Sequence, residues 1–356
     1  MLYVGIMNGL FLIRYGLIGN VRLRDQLYYV ILFALFMFSA FRYEVGCDWS
    51  GYYWQYVGAG YRGLEGALID SEPIWWLILH GLHVLGLPYP WANVISSGIF
   101  FGGVHVLARR QPDPLAFLIL LFPILIVNMP MSGIRQGAAI GLICIALAAF
   151  IDRKPVHFVF WTIIASGFHN SALIFLLLTP LASGQYSYRR LAFAAFLAIP
   201  GALVLSSGDS AQLAVDRYVD TGIDAAGSAF RVGILMLSGL YFFLFLRRPW
   251  AETFPNDYPL ASIGAIGMVL MIVMVPVSTV IGDRFGYYLI PIQTMIFARI
   301  AYLPLPGSRV LHTALPYLGL GLVFTVWSLL SWHFHKCYLP YNSWLFGFPG
   351  GVAFQL

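Results

Sequence analysis

Leu27–Ala40, LYYVILFALFMFSA, runs directly into Phe41–Tyr56, FRYEVGCDWSGYYWQY. The first stretch is apolar enough to lie in a bilayer. The second sets Arg42, Glu44 and Asp48 among Tyr43, Trp49, Tyr52, Tyr53, Trp54 and Tyr56. Only 10% of the chain is charged. Two carboxylates and a guanidinium packed among aromatics at a membrane edge therefore mark the anchor of an active site. The competing reading is an outer loop with interfacial aromatics and solvated charges.

The same pattern recurs along all 356 residues, of which 60% are hydrophobic. The mean hydropathy is +0.80, far above that of soluble domains. Apolar runs of near-spanning length predict an all-α polytopic integral membrane protein, whereas a β-barrel needs short alternating segments. The expected architecture is one transmembrane domain over 1–356, with about 10–13 membrane-spanning or re-entrant helices. Met1–Ile18 lacks a basic n-region and reads as the first helix rather than a signal peptide. The other segments expected are 27–41, 73–87, 91–108, 114–130, 134–150, 156–180, 191–206, 231–246, 260–281, 285–301 and 311–330.

A net charge of +5 does not point to nucleic acid, because the basic residues stand in short pairs between apolar runs. Arg22/Arg24, Arg109/Arg110, Arg153/Lys154, Arg189/Arg190, Arg247/Arg248, Arg299 and Arg309 fit cytoplasmic loops under the positive-inside rule. That choice places 42–72, 207–229, a Gly282–Asp283–Arg284 turn and the tail 331–356 outside, where most acidic residues also fall. Ala211–Thr221 reads as a short amphipathic helix on that surface, and the tail aromatics as an interfacial belt. Two intervals conflict with the scheme. Between 73 and 108 an odd number of crossings is needed, yet two helices are read. Between Lys154 and Arg189 an even number is needed, yet 156–180 is barely longer than one span. Ala165–Ser171, ASGFHNS, therefore reads as the break of a re-entrant pair, with His169 at the break.

Further groups carry chemistry. Arg135, in Met131–Gln136 (MSGIRQ), opens a helix whose later residues are almost wholly apolar. A guanidinium there is costly without an anion, and a helix N-terminus favours one, so Arg135 suits a phosphate and Gln136 a phosphate or sugar. The alternative is a snorkelling interfacial arginine. His169, in Phe168–Ser171 (FHNS), is a candidate general base or donor, or else a structural cap. Arg284, in Gly282–Tyr288 (GDRFGYY), offers a second guanidinium for a diphosphate, or else a local pair with Asp283. His80/His83 and His333/His335/Cys337 have no carboxylate in register, so packing is favoured over metal binding. Cys47, Cys144 and Cys337 show no zinc or redox spacing; a Cys47–Cys337 disulfide is conceivable if both face outside.

The order of these groups is more specific than any one of them. R-x-x-x-G-x-D-aromatic-x-x-Y from Arg42, then I-R-Q at Ile134, F-H-x-S-A-L at Phe168, R-x-x-x-Y at Arg284 and P-Y-N at Pro340 resemble the EpsG family of Wzy-like polysaccharide polymerases over roughly 1–345. Cys47 stands where a small hydroxyl residue is expected, Trp49 where tyrosine is usual, and Pro291 one step early. The resemblance implies a membrane glycosyltransferase of GT-C-like architecture in a bacterial inner membrane, with its active site facing the periplasm or cell exterior. It implies transfer of a growing glycan from undecaprenyl diphosphate to the non-reducing end of a lipid-linked repeat unit, inverting, without metal or cofactor. Donor, acceptor, bilayer, a chain-length regulator and a flippase are the implied partners. On this reading Asp48 is the first choice of base, with Glu44 and His169 behind it. Arg135 and Arg284 bind diphosphate with Arg42 in support, and Tyr52, Tyr53, Gln136 and Tyr288 contact sugar.

Three other classes compete. An O-antigen-ligase-like transferase uses the same donor and arginine logic. A flippase would show internal repeats and charged helix cores. A membrane O-acyltransferase would use a deep histidine but leaves Arg135, Arg284 and Asp48 unexplained.

Overall fold

Proline punctuates the chain. Helices α4 (Pro73–Val84), α5 (Pro90–Ala108), α6 (Pro114–Leu121) and α8 (Pro155–Ser166) each open on one, where its missing N–H has no intrahelical partner to lose. The computed structural model describes residues 1–17, 19–184, 227–274, 278–305 and 307–348, with positions 189 and 192. Among them are fourteen α-helices and no strand. The protein is an all-α polytopic membrane protein. Among the described residues, five segments are long and apolar enough to cross a membrane: α2 (Val21–Ala40), α5, α7 (Ile134–Ile151), the run Ala229–Thr253 and α13 (Arg309–Leu330). Within the fourth, one π-helical turn joins α9 (Ser228–Tyr241) to α10 (Arg247–Thr253). The expected amphipathic helix at Ala211–Thr221 and, apart from position 192, the segment 191–206 lie outside the described residues.

The chain divides into two compact units. The first comprises 1–145, 163–170 and 314–356. Its centre is α6, buried on every side, as a helix apolar all round must be. Asp113 caps α6 by accepting from the Ala116 N–H at 3.0 Å. The same carboxylate, fully buried, pairs with Arg14 of α1 (Leu2–Gly16) at 2.5 Å and with Arg24 of α2 at 3.3 Å. An unpaired buried carboxylate is costly, so the two arginines and the cap make it tolerable and bind three helix ends together. Helices α5 and α7 touch backbone to backbone: a Cβ on Gly103 would lie 1.8 Å from the Gly141 carbonyl oxygen. Close approach through small residues suits helix packing where lipid weakens the hydrophobic drive.

Helix α4 is shorter than the 73–87 segment read as a span. Its 12 residues span about 18 Å, short of the ~30 Å hydrocarbon core. It packs against α3 (Trp49–Ile69), and Tyr56 donates from its hydroxyl to the Leu87 carbonyl beyond α4 at 2.9 Å. The break expected in 156–180 is present: α8 stops at Ser166, and a 3-10 helix runs from Asn170 to Leu181.

The tail differs from the expected interfacial belt. After α14 (Trp332–Tyr338) it folds onto the loop following α2. The Tyr43 N–H donates to the Asn342 carbonyl and the Trp344 N–H to that of Phe41, both at 2.9 Å. Tyr338 is buried, and the Tyr341 ring stacks on Phe38 at 4.5 Å. Trp332 stays exposed. A disulfide joins Cys47 to Cys337, with their Cα atoms 4.7 Å apart.

The second unit comprises 146–162 and 171–313. Helices α9, α11 (Tyr258–Leu270) and α12 (Thr279–Arg299) pack together in it. Arg299, 1% exposed, pairs with Asp257 and lies over the Phe254 ring at 4.7 Å. The expected Gly282–Asp283–Arg284 turn is instead helical. Ser278 caps α12 by accepting from the Ile281 N–H at 3.3 Å, so the helix begins three residues before Gly282. The interruption read between 281 and 285 is absent, since α12 runs from Thr279 to Arg299.

The disulfide fixes the thiol count. Alkylation in denaturant without reductant should modify one cysteine, Cys144, and all three after reduction, as read by intact mass. Modification of three without reductant would show that Cys47 and Cys337 are not joined.

Candidate active site at the start of helices α3 and α7

Arg42 leaves α2 and turns inward. It is 1% exposed. Nη1 donates to the Ser39 carbonyl at 2.7 Å, Nε to that of Val45 at 3.0 Å, and Nη2 to Asn93 Oδ1 at 2.8 Å. One guanidinium thereby fixes both sides of the loop and ties it to α5. Gly46 follows at φ 103°, its N–H donating to the Cys337 carbonyl at 2.6 Å. A Cβ there would lie 2.0 Å from the Met131 carbonyl oxygen, so only glycine lets the loop rest on the turn preceding α7. Glu44 points outward, exposed, in the left-handed region at φ 53°.

The loop delivers Asp48 to the start of α3. Asp48 is exposed, and its Oδ2 accepts from Ser132 Oγ at 3.1 Å. One turn later, Tyr52 lies under Arg135, with the guanidinium carbon 5.5 Å from the ring centre. Burial raises the Tyr52 phenol above its ordinary pKa, and the Arg135 charge acts in the opposite direction. Two residues four apart at the start of α3 thus meet two residues three apart at the start of α7. Both charges act on the Tyr52 phenol, Arg135 lowering its pKa and Asp48 raising it, so Asp48 and Arg135 flank one ring.

Arg135 Nη1 pairs with Oε2 of Glu72, the residue before α4. Glu72 Oε1 accepts from the Asn170 N–H at 3.3 Å. The Ile74 and Trp75 N–H groups donate to the Gly167 carbonyl at 3.0 and 3.2 Å. His169 therefore sits between two residues attached to the start of α4. The island, I-R-Q and F-H-N meet in the first unit.

Arg284 and Tyr288 belong to the second unit. Tyr288 is buried and accepts from Ser171 Oγ at 3.2 Å. Asp283 pairs through both oxygens with Arg231, at 2.7 and 2.8 Å. Gln136 is buried and Tyr53 half-buried. Glu72, Ser132, Asn93 and Arg231 were not singled out in the sequence. Glu72 had one signal: it is a carboxylate set directly before a helix-opening proline.

Among the described residues, Cys47, His333 and Cys337 form the metal-capable group, with donor atoms within 4.8 Å of one another. The two sulfurs are bonded to each other, so they offer no thiolate pair to a cation. His83 has a packing role: it stacks on Tyr56 at 4.1 Å.

Arg42→Met should strand three acceptors and lower stability by ~3 kcal/mol or more, read as a thermal shift in detergent. Gly46→Ala should reduce the yield of folded protein. A wild-type melting temperature for Arg42→Met would remove Arg42 from the scaffold.

Comparison with curated proteins and with solved structures returned no match. The EpsG family model matches residues 26–343, a span that contains the loop after α2, the start of α7 and the 167–170 break. The chain therefore belongs to the EpsG family, a family of Wzy-like polysaccharide polymerases.

Proposed function

We propose that this protein polymerises lipid-linked oligosaccharides by inverting transfer, in a GT-C-like fold, on the outer face of a bacterial inner membrane. A growing glycan on undecaprenyl diphosphate passes to the non-reducing end of a newly delivered repeat unit. Asp48 takes the proton of the acceptor hydroxyl. The oxygen attacks the anomeric carbon, and the bond to the lipid diphosphate breaks with inversion. Charge grows on the leaving oxygen, where Arg135 offsets it. A diphosphate leaves without needing much protonation, so no dedicated acid and no metal are required. Glu44 and His169 are the runner-up bases, and Arg284 is a second diphosphate ligand. Tyr52, Tyr53, Gln136 and Tyr288 are the candidate sugar contacts. Arg42, held by three hydrogen bonds, is assigned to the loop scaffold rather than to phosphate.

The observation that carries this reading is the pairing of Asp48 with Ser132 and of Tyr52 with Arg135. These contacts support a reading in which an exposed carboxylate works beside a partly exposed guanidinium, as acceptor activation next to a leaving diphosphate requires. The Cys47–Cys337 disulfide supports an outward-facing site, since such bonds persist in oxidising compartments.

Asp48→Asn should lower polymer formation from purified lipid-diphosphate repeat units by about 10²- to 10⁴-fold, with Glu44→Gln within about threefold. The reverse order would move the base to Glu44. Arg135→Ala should abolish polymer while the protein stays in the membrane, and polymer of normal length would sink the phosphate role. In a deletion strain, single capped units support a polymerase, whereas accumulated lipid-linked polymer would identify a ligase.

A further inference from the structure

We infer that Glu72 is a positioning residue: its one carboxylate sets Arg135 and the His169 segment in register. The inference rests on the polymerase reading for its catalytic consequence and on geometry alone for the coupling itself.

The two oxygens of Glu72 serve different elements. Oε2 takes Arg135 Nη1, and Oε1 takes the Asn170 N–H. The side chain is 11% exposed, so water is a poor substitute for either partner. Pro73 fixes the backbone at the first turn of α4. The next two N–H groups, of Ile74 and Trp75, are held by the Gly167 carbonyl. A Cβ on Gly167 would lie 2.6 Å from the Ile74 side chain, so the approach is tight. Glu72 is thereby rigid on one side and coupled to two functional motifs on the other.

Arginine is a long side chain that loses rotamer freedom when it acts. A carboxylate pair from a fixed helix start removes that freedom beforehand. Preorganised charge is worth more in catalysis than charge that must reorient. The same carboxylate is a like charge to an incoming diphosphate, so it holds Arg135 in place without deepening ground-state binding. Its effect belongs in turnover rather than in substrate affinity.

Glutamine is the informative replacement. An amide has one acceptor oxygen and one donor group, so it can serve Arg135 or Asn170 but not both. In the full-length protein in detergent, Glu72→Gln should leave the folded yield near wild type. It should speed amide exchange in a peptide spanning Phe168–Ser171 by about tenfold or more. With a polyprenyl-diphosphate-linked repeat unit, it should lower kcat by about 10²-fold and change KM by less than about threefold. Adding Glu72→Gln to Arg135→Lys should cost less than about threefold more, because residues acting as a unit are not additive.

Unchanged exchange at 168–171, or additive losses in the double variant, would overturn the positioning role, as would a loss confined to melting temperature and yield. The polymerase reading fails separately, if the wild-type protein makes no polymer. Faster exchange in that case still upholds the coupling through Glu72.

Discussion

One buried guanidinium holds the loop after α2 together. Arg42 turns back under the chain that follows it, and its three nitrogens close the loop from both sides. A charge in that position is tolerated because every nitrogen donates. Once the loop is closed, Gly46 can rest on the turn before α7, the disulfide can form, and the tail can add its backbone bonds at Tyr43 and Trp344. Residues 41–48 and 337–344, nearly the whole chain apart in sequence, then brace one another. Asp48 is the product of that bracing: an exposed carboxylate on an immobilised base.

The ion pairs fall into two kinds. Arg14 and Arg24 with Asp113, and Arg299 with Asp257, join helix ends. Arg24 and Arg299 are among the basic residues expected on the cytoplasmic side. Arg135 with Glu72 belongs to the other kind. Its neighbours are Asp48, Tyr52 and the break at Gly167–His169, and its side chains are not sealed from the surface. In a chain with only 15 acidic residues, a carboxylate spent on two motifs at once is a use that helix packing alone does not require.

Much of the site was legible because its local patterns are strong. Arg135 before an apolar run, the glycine at the break of ASGFHNS, and the charged aromatic island each violate the surrounding composition. Helix ends were harder. A 12-residue apolar helix such as α4 looks like a span until its length is set against the bilayer. The Gly282–Arg284 stretch looks like a turn because glycine and charge interrupt apolar residues, yet Ser278 caps the helix upstream and carries it straight through. Arg42 and Arg135 both stand beside apolar runs, so local sequence cannot tell a scaffold arginine from a site arginine. Their partners differ: Arg42 meets Asn93 and two backbone carbonyls, Arg135 the carboxylate of Glu72.

By itself the sequence determined the solvent and the sorting of charge. Its hydrophobicity demands helices in a bilayer, where backbone groups must pair within each segment, and its scarce polar residues must gather where they are satisfied. Only the tertiary structure decided which of them meet. Glu72 bridges residues 135 and 170, Ser132 reaches Asp48, and Cys47 reaches Cys337. Each pairing spans tens to hundreds of residues, a separation over which no helical or strand period persists.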